Sequence, residues 1–95
     1  MEQLAAPWEG VALVCRKCSR KLAGGFGLKG KHKLAKVLRE ALRAAGRRRA
    51  LRVMEVGCLG LCPKRAVTVA CEGGRLFSVS AGTNAGVVAA ALLQA

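Results

Sequence analysis

The sequence predicts an α/β domain with a mixed four-stranded sheet, built from a βαβ unit, a β-hairpin and a final helix. In its first half, an apolar run, a helical period and a second apolar run follow one another. In its second half, two short apolar stretches flank Gly73 and Gly74. The 95 residues fit one domain, which we take as residues 11–95 behind a loose lead-in at residues 1–10.

The first half supplies the βαβ unit. Residues 11–14 (VALV) are typical of a strand that is covered on both faces. Residues 16–30 carry four glycines among lysines and arginines, which predicts a long loop. Residues 31–45 place Leu34, Leu38 and Leu42 at helical spacing, with Gly46 as a C-cap. Residues 51–56 form the second strand, which we expect to pair parallel to the first.

The second half supplies the hairpin and the last helix. Residues 66–70 (AVTVA) and 76–79 (LFSV) are short apolar segments around the glycine pair, which predicts two antiparallel strands. Residues 83–93 are rich in Ala, Val and Leu, and Thr83 or Asn84 would cap a helix there. Because parallel strands end at the same edge of a sheet, we expect Cys15 and Cys58 to lie at one edge.

The chain is strongly basic, with a formal charge of +12 from seventeen Lys and Arg against five Glu. Fourteen of the basic residues lie between Arg16 and Arg52, where Glu40 is the only acid. Such a field attracts nucleic acid or acidic proteins. No apolar run is long enough to span a membrane, so we expect a cytoplasmic protein without membrane contact.

Four of the five cysteines form two pairs, Cys15-Arg16-Lys17-Cys18 and Cys58-Leu59-Gly60-Leu61-Cys62. In a reducing compartment, clustered thiols bind metal or do redox chemistry more often than they form structural disulfides. Four converging thiolates can hold zinc or an iron–sulfur cluster. Cys71 lies beyond the third strand and is expected to be a buried structural thiol, and His32 is expected to be solvated.

The segment CLGLCPKRAVTV, together with the opening VALVCRKC, resembles the thioredoxin-like [2Fe-2S] ferredoxins and small bacterial metal-binding proteins of that group. The resemblance covers roughly residues 11–93. It implies a thioredoxin-like fold and a [2Fe-2S] cluster used in one-electron transfer. Cys15, Cys58 and Cys62 correspond directly to cluster ligands. The family's second cysteine lies farther from the first than Cys18 does here, and we assign Cys18 as the fourth ligand.

Several interpretations of the thiols stay open beside the cluster. A nucleic-acid-binding module would use the thiols only structurally, either with bound zinc or as an empty thiol site. A thioredoxin-like dithiol oxidoreductase would use Cys15, activated by Arg16 and Lys17. A dithiol of that kind normally begins a helix, and the glycine-rich composition after CRKC predicts a loop, which favours the cluster. Leu59 and Leu61 would shield the cluster from water, and Lys64 and Arg65 would lie beside it. No acid–base or nucleophilic set for hydrolysis is present, so we predict no enzyme activity.

The basic residues allow two kinds of partner. An acidic redox partner would dock on them through complementary charge. Nucleic acid would also bind them, although stacking of bases would have to rely on Phe26, the only aromatic residue nearby. The sequence leaves open a homodimer. The residues expected at this surface are Lys29, Lys31, Lys33, Lys36, Arg39, Arg43, Arg47, Arg48 and Arg49.

Overall fold

The computed structural model describes residues 1–61 and 63–94. In these ranges the chain forms four strands and three α-helices, in the order β1, α1, α2, β2, β3, β4, α3. Short 3-10 turns cover Leu28–Gly30 and Glu72–Gly74. The strands are β1 Gly10–Cys15, β2 Leu51–Val56, β3 Ala66–Cys71 and β4 Arg75–Ser80, and the helices are α1 Arg16–Leu22, α2 Leu34–Ala44 and α3 Ala85–Gln94.

The four strands form one mixed sheet in the order β2-β1-β3-β4. β1 and β2 are parallel, with Cys15 opposite Val56. β3 is antiparallel to both β1 and β4, and Val69 lies opposite Val14 on one side and Phe77 on the other. The predicted mixed sheet, its parallel pair and its hairpin are therefore confirmed.

The core lies between one face of the sheet and helices α2 and α3. Ala12 and Val14 of β1 are fully buried there, because side chains two apart on a strand point to the same face. Leu34, Leu38 and Leu42 of α2 are buried at helical spacing, and α2 packs against α3 and β2. Full burial of one such leucine stabilises the fold by about 1.5–3 kcal/mol.

Two predicted helix ends are observed. Gly46 has φ of 69°, and its N–H donates to the Arg43 carbonyl where α2 ends, which is the left-handed conformation that favours glycine. Asn84 caps α3, since its Oδ1 accepts the Gly86 N–H at 2.8 Å and the Val87 N–H at 3.3 Å. Of the two cap residues that the sequence allowed, Asn84 is the one used.

The prediction of a loop over residues 16–30 is wrong for its first half, where α1 begins directly after β1. The glycines that suggested a loop all follow Ala23, which ends α1 in a left-handed conformation with φ of 50°. The Ser19 hydroxyl donates to the Cys15 carbonyl at 3.1 Å inside this turn. The remaining segment stays irregular, because two backbone hydrogen bonds between Phe26 and His32 close it into a loop around the Leu28–Gly30 turn, and α2 begins only at Leu34.

No helix in residues 1–61 and 63–94 combines the length and apolar character that crossing a bilayer requires.

Candidate functional site

Cys15 and Cys18 meet where β1 passes into α1. Cys15 is the N-cap of α1, and its Sγ accepts the Cys18 N–H at 3.5 Å. A three-residue separation across the first turn of a helix brings the two side chains together. Cys15 is 0% exposed and Cys18 is 2% exposed. The CRKC pair is therefore a buried dithiol.

Residues 57–61 lie over this dithiol. Cys15 is in register with Val56, so the chain that leaves β2 emerges at the edge where β1 ends. The Leu59 N–H donates to the Cys15 sulfur, and the Cys18 thiol donates to the Leu61 carbonyl oxygen at 3.7 Å. The predicted approach of the second cysteine segment to the first pair is thus observed.

Thr68 of β3 fixes the position of this covering segment. Its side chain is 3% exposed, and its Oγ1 donates to the Leu61 carbonyl oxygen at 3.1 Å. Thr68 also contacts the Cys18 thiol. Sequence reasoning missed this residue, because the alternation in AVTVA indicates a strand but not the partner of one hydroxyl.

Of the three predicted ligands that the structure describes, Cys15 and Cys18 lie together and Cys58 does not join them. Cys58 is exposed, and its Sγ accepts the Gly60 N–H of its own turn at 3.3 Å. Cys62 lies outside the described residues, and with it the Cys62–Pro63 peptide bond. Among the residues that are described, no three His, Cys, Asp or Glu side chains are grouped closely enough to hold a metal ion.

The two buried thiols have pKa values shifted in opposite directions. Burial by itself raises the pKa of Cys15, but the backbone N–H groups of Cys18, Leu59 and Lys17, together with the adjacent Cys18 side chain, outweigh it, so this pKa is lowered. Burial raises the pKa of Cys18, and the neighbouring Cys15 sulfur adds to the increase. Cys15 is therefore the first of the pair to lose its proton.

The groups that lower the pKa of Cys15 are not the ones that the sequence predicted. Arg16 and Lys17 were expected to activate Cys15 through their charge, yet both side chains are exposed, and the Arg16 guanidinium donates to the Glu55 carbonyl at 3.4 Å. Backbone N–H groups supply the stabilisation instead. Lys64 and Arg65 are also exposed.

The two leucines of the covering segment have different environments. Leu59 is partly buried and packs against the core. Leu61 is 51% exposed. With Pro63 and the half-exposed Leu76 of β4, Leu61 lines an apolar groove beside the thiols.

The remaining candidates lie apart from the dithiol. Cys71 is buried in β3 opposite Ala12, as predicted for a structural thiol, and burial raises its pKa. His32 is half-buried, with its Nδ1 3.5 Å from the Lys36 Nζ. Phe26, the aromatic residue on which base stacking by the basic residues would have to rely, is 0% exposed and cannot stack on a base.

No family model, curated protein or solved structure matches the chain.

Proposed function

We propose that this chain is a small electron-transfer protein that binds a [2Fe-2S] cluster through Cys15, Cys18, Cys58 and Cys62. The observation that carries the proposal is the contact of residues 59 and 61 with the Cys15 and Cys18 thiols. The loop that bears the second cysteine pair thus lies on the first pair. We also propose a thioredoxin-like fold, which the βαβ unit followed by a hairpin and a last helix supports.

The residues present fit a cluster in the kind of donor they offer. Four cysteines are the ligand set of a [2Fe-2S] cluster, which when bound would supply a one-electron redox couple. Cys58 would have to turn inwards. The Cys58 side chain is exposed, so no core packing holds it in its outward position. The Leu59 N–H would donate a hydrogen bond to a ligating Cys15 sulfur, and such bonds tune the redox potential.

The test is the metal content of protein purified without oxygen. We expect a visible absorption spectrum with iron and sulfide in equal amounts, and loss of both in Cys15→Ser, Cys18→Ser, Cys58→Ser and Cys62→Ser variants. Cys71→Ser is the matched control, since Cys71 is a buried thiol away from the site. A colourless protein without iron, also after chemical reconstitution, would refute the proposal. Stoichiometric zinc instead of iron would show that the thiolates hold a structural zinc ion.

A second candidate function is thiol–disulfide exchange by Cys15 and Cys18. It gains support from the start of α1 at Arg16, which removes the expected loop after the dithiol. The burial of both sulfurs argues against it, because an attacking thiolate needs access to the disulfide. Dithiothreitol-driven reduction of a protein disulfide by metal-free protein tests this function. Turnover that Cys15→Ser abolishes and Cys71→Ser preserves would establish it.

A further inference from the structure

A cationic surface forms where α2, the turn after it and β2 meet, at a sheet edge that lies outside the thiol site. β2 is the edge strand beside β1. A cleft of about 200 Å³ between α2 and β2 is lined by Arg39, Arg43, Arg48 and Arg52 over a floor that includes Leu42. A neighbouring depression adds Trp8 and Arg49 to Arg48 and Arg52. We call this set the Arg–Trp surface: Trp8, Arg39, Arg43, Arg48, Arg49 and Arg52.

Three contacts hold the Arg–Trp surface in place. The Arg39 guanidinium donates to the Val53 carbonyl of β2 at 3.1 Å. The Arg52 guanidinium lies over the Trp8 ring, 5.5 Å from its centroid. The Glu9 N–H donates to the Arg49 carbonyl at 2.9 Å and ties the segment that carries Trp8 to the turn. These contacts hold Arg39, Arg52 and the segment that carries Trp8 against the body of the domain.

The charges of this surface are not neutralised within the described part of the chain. In the described residues the ion pair is that of Arg75 with Glu72, and neither residue belongs to the Arg–Trp surface. Glu40 borders the surface beside Arg39 and Arg43 but lies in no ion pair with them in residues 1–61 and 63–94. Five exposed guanidinium groups repel one another, and this repulsion is relieved when a polyanion binds.

We propose that the Arg–Trp surface binds single-stranded nucleic acid. Guanidinium groups match phosphate with paired hydrogen bonds. The half-buried Trp8 ring has Arg52 over one face, and its remaining exposed surface is an aromatic group on which an unpaired base can stack. An acidic protein would use the arginines but would gain little from Trp8. The proposal is independent of the thiol site and places stacking on Trp8 instead of the buried Phe26.

Trp8 reports on this binding directly, since the chain has one Trp and no Tyr. We expect a single-stranded oligouridylate to quench the Trp8 fluorescence. The logarithm of the association constant should fall with the logarithm of the salt concentration with a slope of about −3, as for four neutralised phosphates. Heparin and polyglutamate serve as polyanions without bases. Equal affinity and equal quenching by polyglutamate would refute the proposal in favour of an acidic protein partner.

Two double variants with equal charge change locate the binding. Arg43→Glu with Arg48→Glu alters the Arg–Trp surface, whereas Lys31→Glu with Lys33→Glu alters exposed lysines before α2. The first pair should lower the magnitude of the salt slope by about 1.5, as for two lost phosphate contacts on a single strand, and the second should leave it unchanged. Trp8→Leu should weaken oligonucleotide binding about tenfold, measured by anisotropy of a labelled strand, while heparin binding is retained. Equal losses in both double variants, or no loss in Trp8→Leu, would overturn the proposal. Circular dichroism melting confirms that each variant is folded.

Discussion

Replacing Thr68 by valine removes the hydroxyl that bonds the Leu61 carbonyl, together with the contact of that hydroxyl with the Cys18 thiol. Valine keeps the branched shape of this buried side chain and its preference for a strand. The Leu61 carbonyl, which accepts the Thr68 hydroxyl at 3.1 Å, would retain only the Cys18 thiol at 3.7 Å. A thiol is a weak donor, so the closed segment should lose about 1 kcal/mol.

This loss is measurable as exposure of the two buried thiols. Iodoacetamide reaches Cys15 and Cys18 only when residues 57–61 lift away. Where closing is faster than alkylation, the reaction rate follows the open population. A loss of about 1 kcal/mol raises that population about fivefold. Mass spectrometry of the reduced, metal-free protein should therefore show about fivefold faster alkylation of both thiols, with Cys58, which is already exposed, unchanged.

Thr68→Ser is the matched control, because serine keeps the hydroxyl and loses a methyl group. It should lower the free energy of unfolding while the alkylation rates of Cys15 and Cys18 stay near those of the unchanged protein. Unchanged rates in Thr68→Val would show that the Leu61 bond does not hold the segment. Equal acceleration in both variants would show that the thiols react through global unfolding.

Three further predictions concern stability, each measured by urea unfolding. Ala23→Gly should stabilise the protein by about 0.5–1 kcal/mol, since Ala23 has φ of 50° and glycine adopts this conformation without strain; a loss of stability would contradict this. Leu38→Ala should cost about 2–5 kcal/mol, because Leu38 is 0% exposed in the core, whereas Leu28→Ala at an exposed position should be nearly neutral. Burial raises the pKa of Cys71 above that of the unfolded thiol, which is about 8.5. The neutral thiol therefore contributes stability that is complete below about pH 8.5. This contribution is lost as the pH rises through the pKa of Cys71 in the folded protein. Cys71→Ala should therefore flatten the decline in stability above about pH 8.5, and equal slopes for both proteins would refute the assignment.

The sheet and α2 could be predicted because their signals are local and periodic. Leu34, Leu38 and Leu42 repeat every four residues, and the apolar runs of the strands are bounded by glycines. Parallel pairing then followed from the helix between β1 and β2 and placed Cys15 and residue 58 at one edge. These predictions depend only on the spacing of residues along the chain, which can be read from the sequence.

The missed features depend on contacts between distant residues. α1 has seven residues, too few for an apolar period to emerge. Its first turn is capped by the Cys15 sulfur instead of a Ser, Thr, Asp or Asn side chain, so the usual starting signal is absent. The Thr68 bond to Leu61 and the packing of Arg52 on Trp8 each join separate segments. No local pattern marks either contact.

Because α1 begins at Arg16, the thiols of Cys15 and Cys18 are buried, and this burial affects thiol exchange and electron transfer differently. A dithiol on a mobile loop would be open to a protein disulfide, but the first turn of α1 directs Cys18 beneath Leu61 and leaves Cys15 covered by residue 59. Thiol exchange would then require the covering segment to open in every cycle. Thr68→Val should therefore accelerate thiol exchange by about the same factor as it accelerates alkylation. Electron transfer through a bound cluster needs no such opening, so its rate should not rise in step with the alkylation rate. Comparing the two rates in one variant therefore separates the two candidate functions by mechanism as well as by metal content.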